Sequence, residues 1–424
     1  MRRHIITRPI MTRRGWLAGA LSTAGMGAGA LLHTRRARAE VGSPKNLIIV
    51  NAVGGWDTTY TIDPKEGLST IDAPTDGTIR DVGGIPILDA VTRPAVASFF
   101  EDFGDITTVV NGLQTSSISH TSGYRRIMTG SSAFDAPDVG TIAAIEHGID
   151  RAAPYLVLGT VSFSGPYASA VTRTGNLNQL GTLLDPATSF PLDDGTFAFQ
   201  RYVPDDEESA LILAHMQQSA ELQRGRWGGL GRNAVRGSDF EVAIERGEQL
   251  KDIGALASVD YAQSFSFQVD LAVDALRTGM SQAVEIELGG WDTHVANVQQ
   301  SALWQGLFTE LRRLVASLEA EGLLEDTVIA VVSEMGRTPK LNGDAGKDHW
   351  PVTSAMLIGT DLAGGQVLGA TTDEFGGANV DLESGEVDAA GAPLRHGNFA
   401  AGLLERVGVD PSAYLGSITP LRGF

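Results

Sequence analysis

The sequence contains no cysteine among its 424 residues. Disulfides, thiolate metal ligands and a cysteine nucleophile are therefore all excluded. A chain of this length can bury enough apolar surface to be stable without disulfides. Any metal site in it must be built from imidazole nitrogens and from oxygen ligands.

Basic residues are also scarce, with 32 Lys and Arg against 51 Asp and Glu and a net charge of −19. Residues 1–39 contain eight arginines and no acidic residue, so their removal would change the net charge from −19 to −27. So acidic a surface repels nucleic acid and anionic membranes and attracts cations. We therefore expect no nucleic-acid partner.

Long apolar runs are missing as well. The best candidate, Leu17–Leu32, is rich in Gly and Ala and is shorter than the ~20 residues that a membrane span needs. It follows Thr12-Arg13-Arg14-Gly15-Trp16-Leu17, which is typical of a twin-arginine signal, and it precedes an Ala-x-Ala cleavage site at Ala37–Ala39. The sequence predicts a signal peptide over residues 1–39 that engages the Tat translocase during export. The mature protein would be periplasmic or secreted, without an integral membrane span; a membrane anchor is the alternative.

The rest of the chain alternates strand and helix patterns. Apolar runs predict strands at Asn46–Val50, Ile106–Val110, Pro154–Gly159, Ala283–Leu288, Thr327–Val332 and Thr353–Ile358. Leucines at helical spacing predict an amphipathic helix at Val298–Leu318. Strands separated by such helices favour an α/β fold, with a mostly parallel central sheet flanked by helices on both faces. The predicted domain covers residues 40–424, with an inserted or peripheral region at 162–254 where the pattern loosens.

Two nearly identical strings, GGWDTT at Gly54–Thr59 and GGWDTH at Gly289–His294, each follow a predicted strand. Ligands of parallel sheets bind at the carboxyl ends of the strands. We therefore expect Asp57 and Asp292 to lie around one cation, to which His294 adds a nitrogen donor. The alternative is that the aspartates are turn residues and the tryptophans pack beneath the loops.

Two further segments carry metal-ligand residues: Glu334 follows the strand Thr327–Val332, and His349 lies in a Gly-rich region. Imidazoles and carboxylates together suit Zn²⁺ or Mn²⁺, whereas carboxylates alone suit Ca²⁺ or Mg²⁺. A divalent metal ion is therefore the expected cofactor, with zinc or manganese favoured.

A fifth segment, Ser119–Gly130, places hydroxyls and His120 ahead of Arg125 and Arg126, where a helix could begin. A helix N-terminus beside guanidinium groups can bind an anion. The alternative is an ordinary N-cap followed by a solvated basic turn.

The order of the motifs GGWDTT, SHTSGYRRIMTG, GGWDTH and SEMGRTPKLNGDAGKDHWP resembles the DUF1501 family of exported bacterial proteins. Those are regarded as distant members of the alkaline phosphatase and sulfatase superfamily. The resemblance covers nearly the whole mature chain and is weakest at about 162–254. It implies an alkaline-phosphatase-like fold.

The resemblance also implies roles for individual residues. The implied metal ligands are Asp57, Asp292, His294, Glu334 and His349. His120 occupies the place of the superfamily's nucleophile, with Ser119 and Thr121 beside it. Arg337 and Lys340 would lie near the anion of the substrate. Without cysteine, the common maturation of sulfatases is excluded; Ser119 or Thr121 would substitute, or a metal-activated water would attack, or the site would not turn over.

Two functional hypotheses follow. The first is an exported metal-dependent hydrolase of phosphate or sulfate esters, acting on a small or polymeric anionic ester. In it, His120 serves as nucleophile, base or extra ligand, and Arg125, Arg126 and Arg337 neutralise developing charge. The second is a non-enzymatic exported binding protein that keeps the fold and a degenerate metal site. A nucleotide-binding Rossmann protein is rejected, because the Gly-Gly turns lack the required Gly-x-Gly-x-x-Gly spacing.

Overall fold

Strand β1 (Asn46–Ala52) runs through the centre of the protein, and nearly all of it is buried. The structure is a computed structural model, and it describes residues 43–175, 205–228, 231–251 and 264–424. The predicted signal peptide, residues 1–39, lies outside the described residues. Side chains alternate along β1, so that Leu47 and Ile49 join one apolar cluster and Ile48 and Val50 join another.

Thirteen further strands follow β1 in the described residues. They are β2 (Gly77–Val82), β3 (Ile85–Ala90), β4 (Thr107–Gln114), β5 (Tyr155–Val157), β6 (Val171–Arg173), β7 (Ala283–Leu288), β8 (Thr327–Val332), β9 (Gly336–Arg337), β10 (His349–Trp350), β11 (Val352–Ile358), β12 (Gln366–Leu368), β13 (Asn379–Val380) and β14 (Ala392–Pro393). Eight of the strands form the central sheet in the order β12-β4-β11-β8-β1-β7-β5-β6. Short antiparallel pairs are formed by β2 with β3, β9 with β10, and β13 with β14.

The central sheet is mostly parallel, which confirms the predicted fold class. Strand β1 pairs parallel with β7 and with β8, and β5 pairs parallel with β6 and β7. The exception is β11, which runs antiparallel between β4 and β8. Because of that reversal, β11 begins at the edge where β1, β4, β7 and β8 end.

Helices cover both faces of the sheet. They are α1 (Ala95–Phe103), α2 (His120–Thr129), α3 (Val139–His147), α4 (Asp206–Trp227), α5 (Arg232–Lys251), α6 (Phe265–Arg277), α7 (Gln300–Ala320), α8 (His396–Arg406) and α9 (Ser412–Leu415). The face of Ile48 and Val50 packs against α1, α6 and α7. The opposite face packs against α2, α3 and α8. None of the helices in the described ranges is both long and apolar enough to cross a membrane.

The predicted elements agree with the structure where their apolar pattern is strong. Strands β7 and β8 have the predicted bounds. Helix α7 is shifted by two residues towards the C-terminus at both ends, relative to the predicted Val298–Leu318. In the region 162–254, the described residues hold β6 and the long helices α4 and α5, which contact each other. Whether this region is an insertion stays a prediction.

Helix α3 depends on a buried aspartate at its N-terminus. Asp138 is fully buried; its Oδ1 accepts from the Thr141 N–H and its Oδ2 from the Phe163 N–H, both at 2.7 Å. Burial raises the pKa of this carboxyl from 3.8 to about 6, against the opposing effect of the two hydrogen bonds. The folded state therefore binds more protons than the unfolded state between these pH values.

We predict that the contribution of Asp138 to the free energy of unfolding falls as the pH rises from 4 to 6.5, because the carboxyl must then ionise in its buried position. In Asp138→Asn this contribution is lost, so the variant should gain up to about 3 kcal/mol relative to wild type over the same range. Urea unfolding at several pH values measures the difference. Asp381→Asn is the matched control, because the exposed Asp381 Oδ1 accepts from the Glu383 N–H at 2.7 Å. A difference between wild type and Asp138→Asn that does not change with pH would contradict the prediction.

Candidate metal centre

Five loops meet at the edge of the sheet where the central parallel strands end. The loops that follow β1, β7 and β8 carry Asp57, the pair Asp292 and His294, and Glu334. The loop after β4 leads into α2, which begins at His120. His349 arrives just before β11, and its place at this edge follows from the reversed direction of that strand.

The loops approach one another so closely that glycine is required at the contacts. Gly54 has φ +127°, and a Cβ on it would lie 2.4 Å from the backbone nitrogen of Asp292. A Cβ on Gly346 would lie 1.9 Å from the carbonyl oxygen of His294. The two GGWDT loops therefore cross in direct backbone contact, and the Gly-rich segment before His349 packs against the second of them.

Three imidazoles converge on one carboxylate at this crossing. His294 Nε2 lies 3.1 Å and His349 Nε2 3.2 Å from Asp292 Oδ1, and the two nitrogens are 3.0 Å apart. On the other side, His120 Nε2 lies 3.5 Å from Asp292 Oδ2. His120, Asp292 and His349 form a group whose ligand atoms lie within 4.8 Å of one another and could hold a metal ion.

Each imidazole is held from behind at its Nδ1 atom by an acceptor. His120 Nδ1 is 2.7 Å from Glu334 Oε1, and His294 Nδ1 is 2.9 Å from Asp348 Oδ1. His349 Nδ1 is 2.7 Å from the carbonyl oxygen of Ile118. These partners accept hydrogen bonds, so each Nδ1 carries the proton. The lone pair of each neutral ring is then on Nε2 and points towards Asp292.

This arrangement fits a cation. Without one, the lone pairs of His294 Nε2 and His349 Nε2 and a carboxylate oxygen would face one another within 3.2 Å, which requires an added proton or a metal ion. Tetrahedral ligands with bonds of 2.0–2.1 Å are roughly 3.3–3.4 Å apart. The spacings among His294 Nε2, His349 Nε2 and Asp292 Oδ1, 3.0–3.2 Å, are close to that value. Carboxylates and carbonyls behind histidine ligands are also usual in zinc proteins.

The charges around the group favour ionised Asp292. Partial burial acts to raise its pKa, but the hydrogen bond from Arg337, at 2.7 Å, and the neighbouring His349 imidazole outweigh burial and lower the pKa to about 2. On the other side, the hydrogen bond to Glu334 raises the pKa of His120. The carboxylate at the centre is thus available as a ligand at neutral pH.

Asp57 does not join this group, which corrects the expectation that the two GGWDT aspartates surround one cation. It is fully buried, and its Oδ2 lies 2.7 Å from Lys347 Nζ and 2.8 Å from Asn297 Nδ2. Its Oδ1 accepts from the Thr59 hydroxyl at 2.7 Å and from the Thr59 N–H at 3.2 Å. Three hydrogen bonds and one ammonium group therefore already surround the two oxygens of the Asp57 carboxylate.

Glu334 also differs from its expected place as a ligand. It is fully buried, and its carboxylate accepts from the Gly54 N–H, the Ser333 hydroxyl and His120. Glu334 therefore orients His120 from one layer behind the group. Tyr124, which sequence reasoning missed, lies beside it: burial and the Glu334 charge raise the pKa of this phenol.

Two arginines expected near a substrate, Arg125 and Arg337, are both engaged with groups of the protein. Arg125 donates to the carbonyl oxygen of Phe134 at 2.9 Å, and its guanidinium stacks on the Phe134 and Phe163 rings. Arg337 is fully buried, and its guanidinium donates hydrogen bonds to loop carbonyl oxygens and to Asp292. Ser119, the N-cap residue of α2, and Thr121, in its first turn, are exposed on either side of His120 in the chain.

The tryptophans of the repeated motif pack beneath the loops, as in the alternative reading of the sequence. Trp56 and Trp291 are fully buried with edge-to-face geometry, and both contact Trp304 of α7. Gln300, at the start of α7, joins the two loops: its Nε2 donates to the carbonyl oxygens of Gly55 and Trp291. The repeat therefore builds a shared base for both loops.

Fold and site together define an α/β protein with a histidine-rich candidate metal centre at the carboxyl ends of its strands. The chain belongs to the DUF1501 family, described as proteins of unknown function, whose model matches residues 44–413. This confirms the family expected from the motifs. No functionally curated protein matches the chain at a significant level.

Several solved structures are distantly similar. One is a protein of the alkaline phosphatase superfamily from Vibrio parahaemolyticus, at 10% identity over 90% of this chain and 70% of that chain, with a TM-score of 0.37. The lipoteichoic acid synthase LtaP from Listeria monocytogenes has 10% identity, coverages of 90% and 74%, and a TM-score of 0.38. The integral membrane protein lipooligosaccharide phosphoethanolamine transferase A (EptA) from Neisseria meningitidis has 9% identity, coverages of 90% and 60%, and a TM-score of 0.38.

We predict that Lys347 and Asp57 stabilise the protein as a buried pair. Lys347→Met leaves the Asp57 carboxylate buried without its cation, which should cost about 3–5 kcal/mol of unfolding free energy. The double variant Asp57→Asn/Lys347→Met should recover most of that loss. Lys340→Met is the matched control, because Lys340 forms an exposed pair with Asp72 and should cost less than about 1 kcal/mol. Equal losses in Lys347→Met and Lys340→Met would contradict the buried pairing.

Proposed function

We propose that the protein is a metal-dependent hydrolase of phosphate or sulfate esters. The observation that carries the proposal is the convergence of His120, His294 and His349 on Asp292, with each Nδ1 engaged from behind. A divalent ion, with zinc or manganese favoured, would be held by His294, His349 and Asp292. When bound, it would act as a Lewis acid towards an ester oxygen.

The chain's own residues would supply the remaining chemistry. His120 lies on the far side of Asp292 at the N-terminus of α2 and is half-buried. It would serve as a fourth ligand, as a general base or as the nucleophile, and Ser119 and Thr121 offer hydroxyls beside it. The free N–H groups of the first turn of α2 favour an anion at the same position.

Export is part of the proposal. The twin-arginine pattern, the short apolar run and the Ala-x-Ala site in residues 1–39 support transport by the Tat route to the periplasm or beyond. That route carries folded proteins, so the metal could be acquired before export.

A second candidate is a non-enzymatic exported binding protein that retains the metal site. The location of the arginines favours it: Arg125 stacks on aromatic rings and Arg337 is buried against loop carbonyls. Neither guanidinium is free to stabilise charge on a reacting ester. Tight metal binding together with no turnover over a broad panel of esters would favour this candidate.

We predict about one equivalent of a transition metal in the mature protein purified after export by its own signal. The double variant Asp292→Asn/His294→Ala removes two converging ligand atoms and should lose the metal and any ester hydrolysis, while its circular dichroism stays unchanged. Elemental analysis measures the stoichiometry. His215→Ala is the control, because His215 is exposed on α4 and should not affect the metal. A native protein that stays metal-free after reconstitution would remove the hydrolase proposal.

A second prediction concerns the residue behind His120. Glu334→Gln keeps the side-chain volume but removes the charge that faces His120 Nδ1, so metal affinity should fall about 10–100-fold. In the metal-free protein the pKa of His120 should also fall, because the hydrogen bond to Glu334 raises it. Chelator competition and a histidine NMR titration measure the two effects. Glu383→Gln, at an exposed ion pair with Arg422, is the control; unchanged affinity in Glu334→Gln would rule out the positioning role.

A further inference from the structure

Three exposed apolar residues lie in the loops that carry the candidate metal centre. Ile118, Val295 and Leu341 are 60%, 59% and 46% exposed, and we call them the apolar rim. The backbone near each of them is connected to His294 or His349. The carbonyl oxygen of Ile118 accepts from His349 Nδ1 at 2.7 Å, and Val295 follows His294 in the chain. Leu341 precedes Asn342, whose Nδ2 donates to the His294 carbonyl oxygen at 3.0 Å.

The loops that carry the rim are strained. In the described residues, four non-glycine residues have positive φ, and three of them are Ser116 (54°), Ala296 (51°) and Ala345 (54°). Ser116 lies two residues before Ile118, Ala296 directly follows Val295, and Ala345 pairs with Val295 in an antiparallel bridge. Such conformations are unfavourable for residues with a Cβ and are concentrated at binding sites. Here they keep apolar side chains in solvent beside polar ligands, an arrangement that hydrophobic burial alone would not produce.

The rim offers an anion little fixed positive charge. In segments 116–121, 293–297 and 338–346, the one lysine or arginine is Lys340, and its Nζ lies 2.8 Å from Asp72 Oδ1. The two arginines that contact these loops are engaged, Arg337 with Asp292 and Arg126 with the carbonyl oxygens of Thr115 and Ser116. The whole chain carries a net charge of −19, which repels polyanions. A substrate can therefore gain more from apolar contact with the rim than from additional negative charges.

We infer that the substrate is a small phosphate or sulfate ester with an apolar aryl or alkyl group, which the apolar rim contacts while the charged end faces the three histidines. The inference rests on the proposed function and narrows it, because it disfavours sulfated or phosphorylated polymers. Hydrolysis of such an ester consumes one water and releases the alcohol or phenol together with the phosphate or sulfate anion.

The test compares two unreactive anions, phenylphosphonate and methylphosphonate, by calorimetric titration of the metal-loaded mature protein. Both carry the same charged group, so their ratio of dissociation constants isolates the apolar part. We expect phenylphosphonate to bind at least about tenfold more tightly, which corresponds to ~1.4 kcal/mol and to roughly 55 Å² of buried apolar surface. In the triple variant Ile118→Ser/Val295→Ser/Leu341→Ser the ratio should fall below about threefold, with methylphosphonate affinity unchanged.

Val387→Ser is the matched control, because Val387 is 57% exposed in the segment between β13 and β14 and should leave the ratio unchanged. Equal binding of the two anions by wild type would overturn the inference and leave the proposed function standing. The inference would also be overturned, with the proposed function left standing, if the triple variant kept the wild-type ratio of the two dissociation constants. If neither anion binds while the metal is present, the proposed ester site itself fails, and the inference fails with it.

Discussion

The site depends on the buried guanidinium of Arg337, which holds together the loops that carry the candidate ligands. Arg337 donates to the carbonyl oxygens of Gly54 and Gly55 in the first GGWDT loop, to that of Lys347, and to Asp292 in the second loop. It also pairs across the short β9–β10 ribbon with His349. A planar donor with five N–H groups can satisfy several acceptors at fixed angles, which lysine cannot. Because the backbones also touch at Gly54 and Gly346, small displacements of one loop must move the others.

Much of the fold could be predicted from the sequence, because the central strands and α7 have strong apolar periodicity. Ala283–Leu288 alternates apolar residues with two glutamates and is followed by Gly289-Gly290, and Thr327–Val332 is apolar after its first residue; both strands have the predicted bounds. The reversed direction of β11 could not be predicted, since a buried strand has the same composition in either direction. That reversal brings Asp348 and His349 to the edge where the other strands end.

The sequence indicates which side chains gather at this edge of the sheet. It does not indicate which of them face the candidate metal position and which lie behind the imidazoles. Asp292, His294, His349 and His120 lie together because strand ends gather at one edge. The residue type alone does not show whether a carboxylate binds a metal ion or forms a hydrogen bond to a side chain that does. Glu334 was expected to be a ligand, whereas in the structure it lies behind His120, at the Nδ1 atom of that imidazole. Arg125 lies five positions after His120 on α2, outside the three- or four-residue spacing that brings two side chains together, and its guanidinium packs on the Phe134 and Phe163 rings. Lys347 and Asp348 gave no separate signal beside the histidine that follows them.

Burial explains why one motif serves two purposes. In the first loop Asp57 is enclosed by the tryptophans and by α7, and a carboxylate removed from water needs a fixed partner, which Lys347 supplies. In the second loop Asp292 is about half exposed and faces imidazoles whose Nδ1 atoms are held by acceptors, so that their Nε2 atoms point towards it. The positive charge beside Asp57 is the ammonium of Lys347, which is part of the chain and cannot leave. A cation beside Asp292, which is open to solvent, would be free to exchange. The first GGWDT loop therefore contributes rigidity, and the second contributes Asp292 to the candidate metal centre.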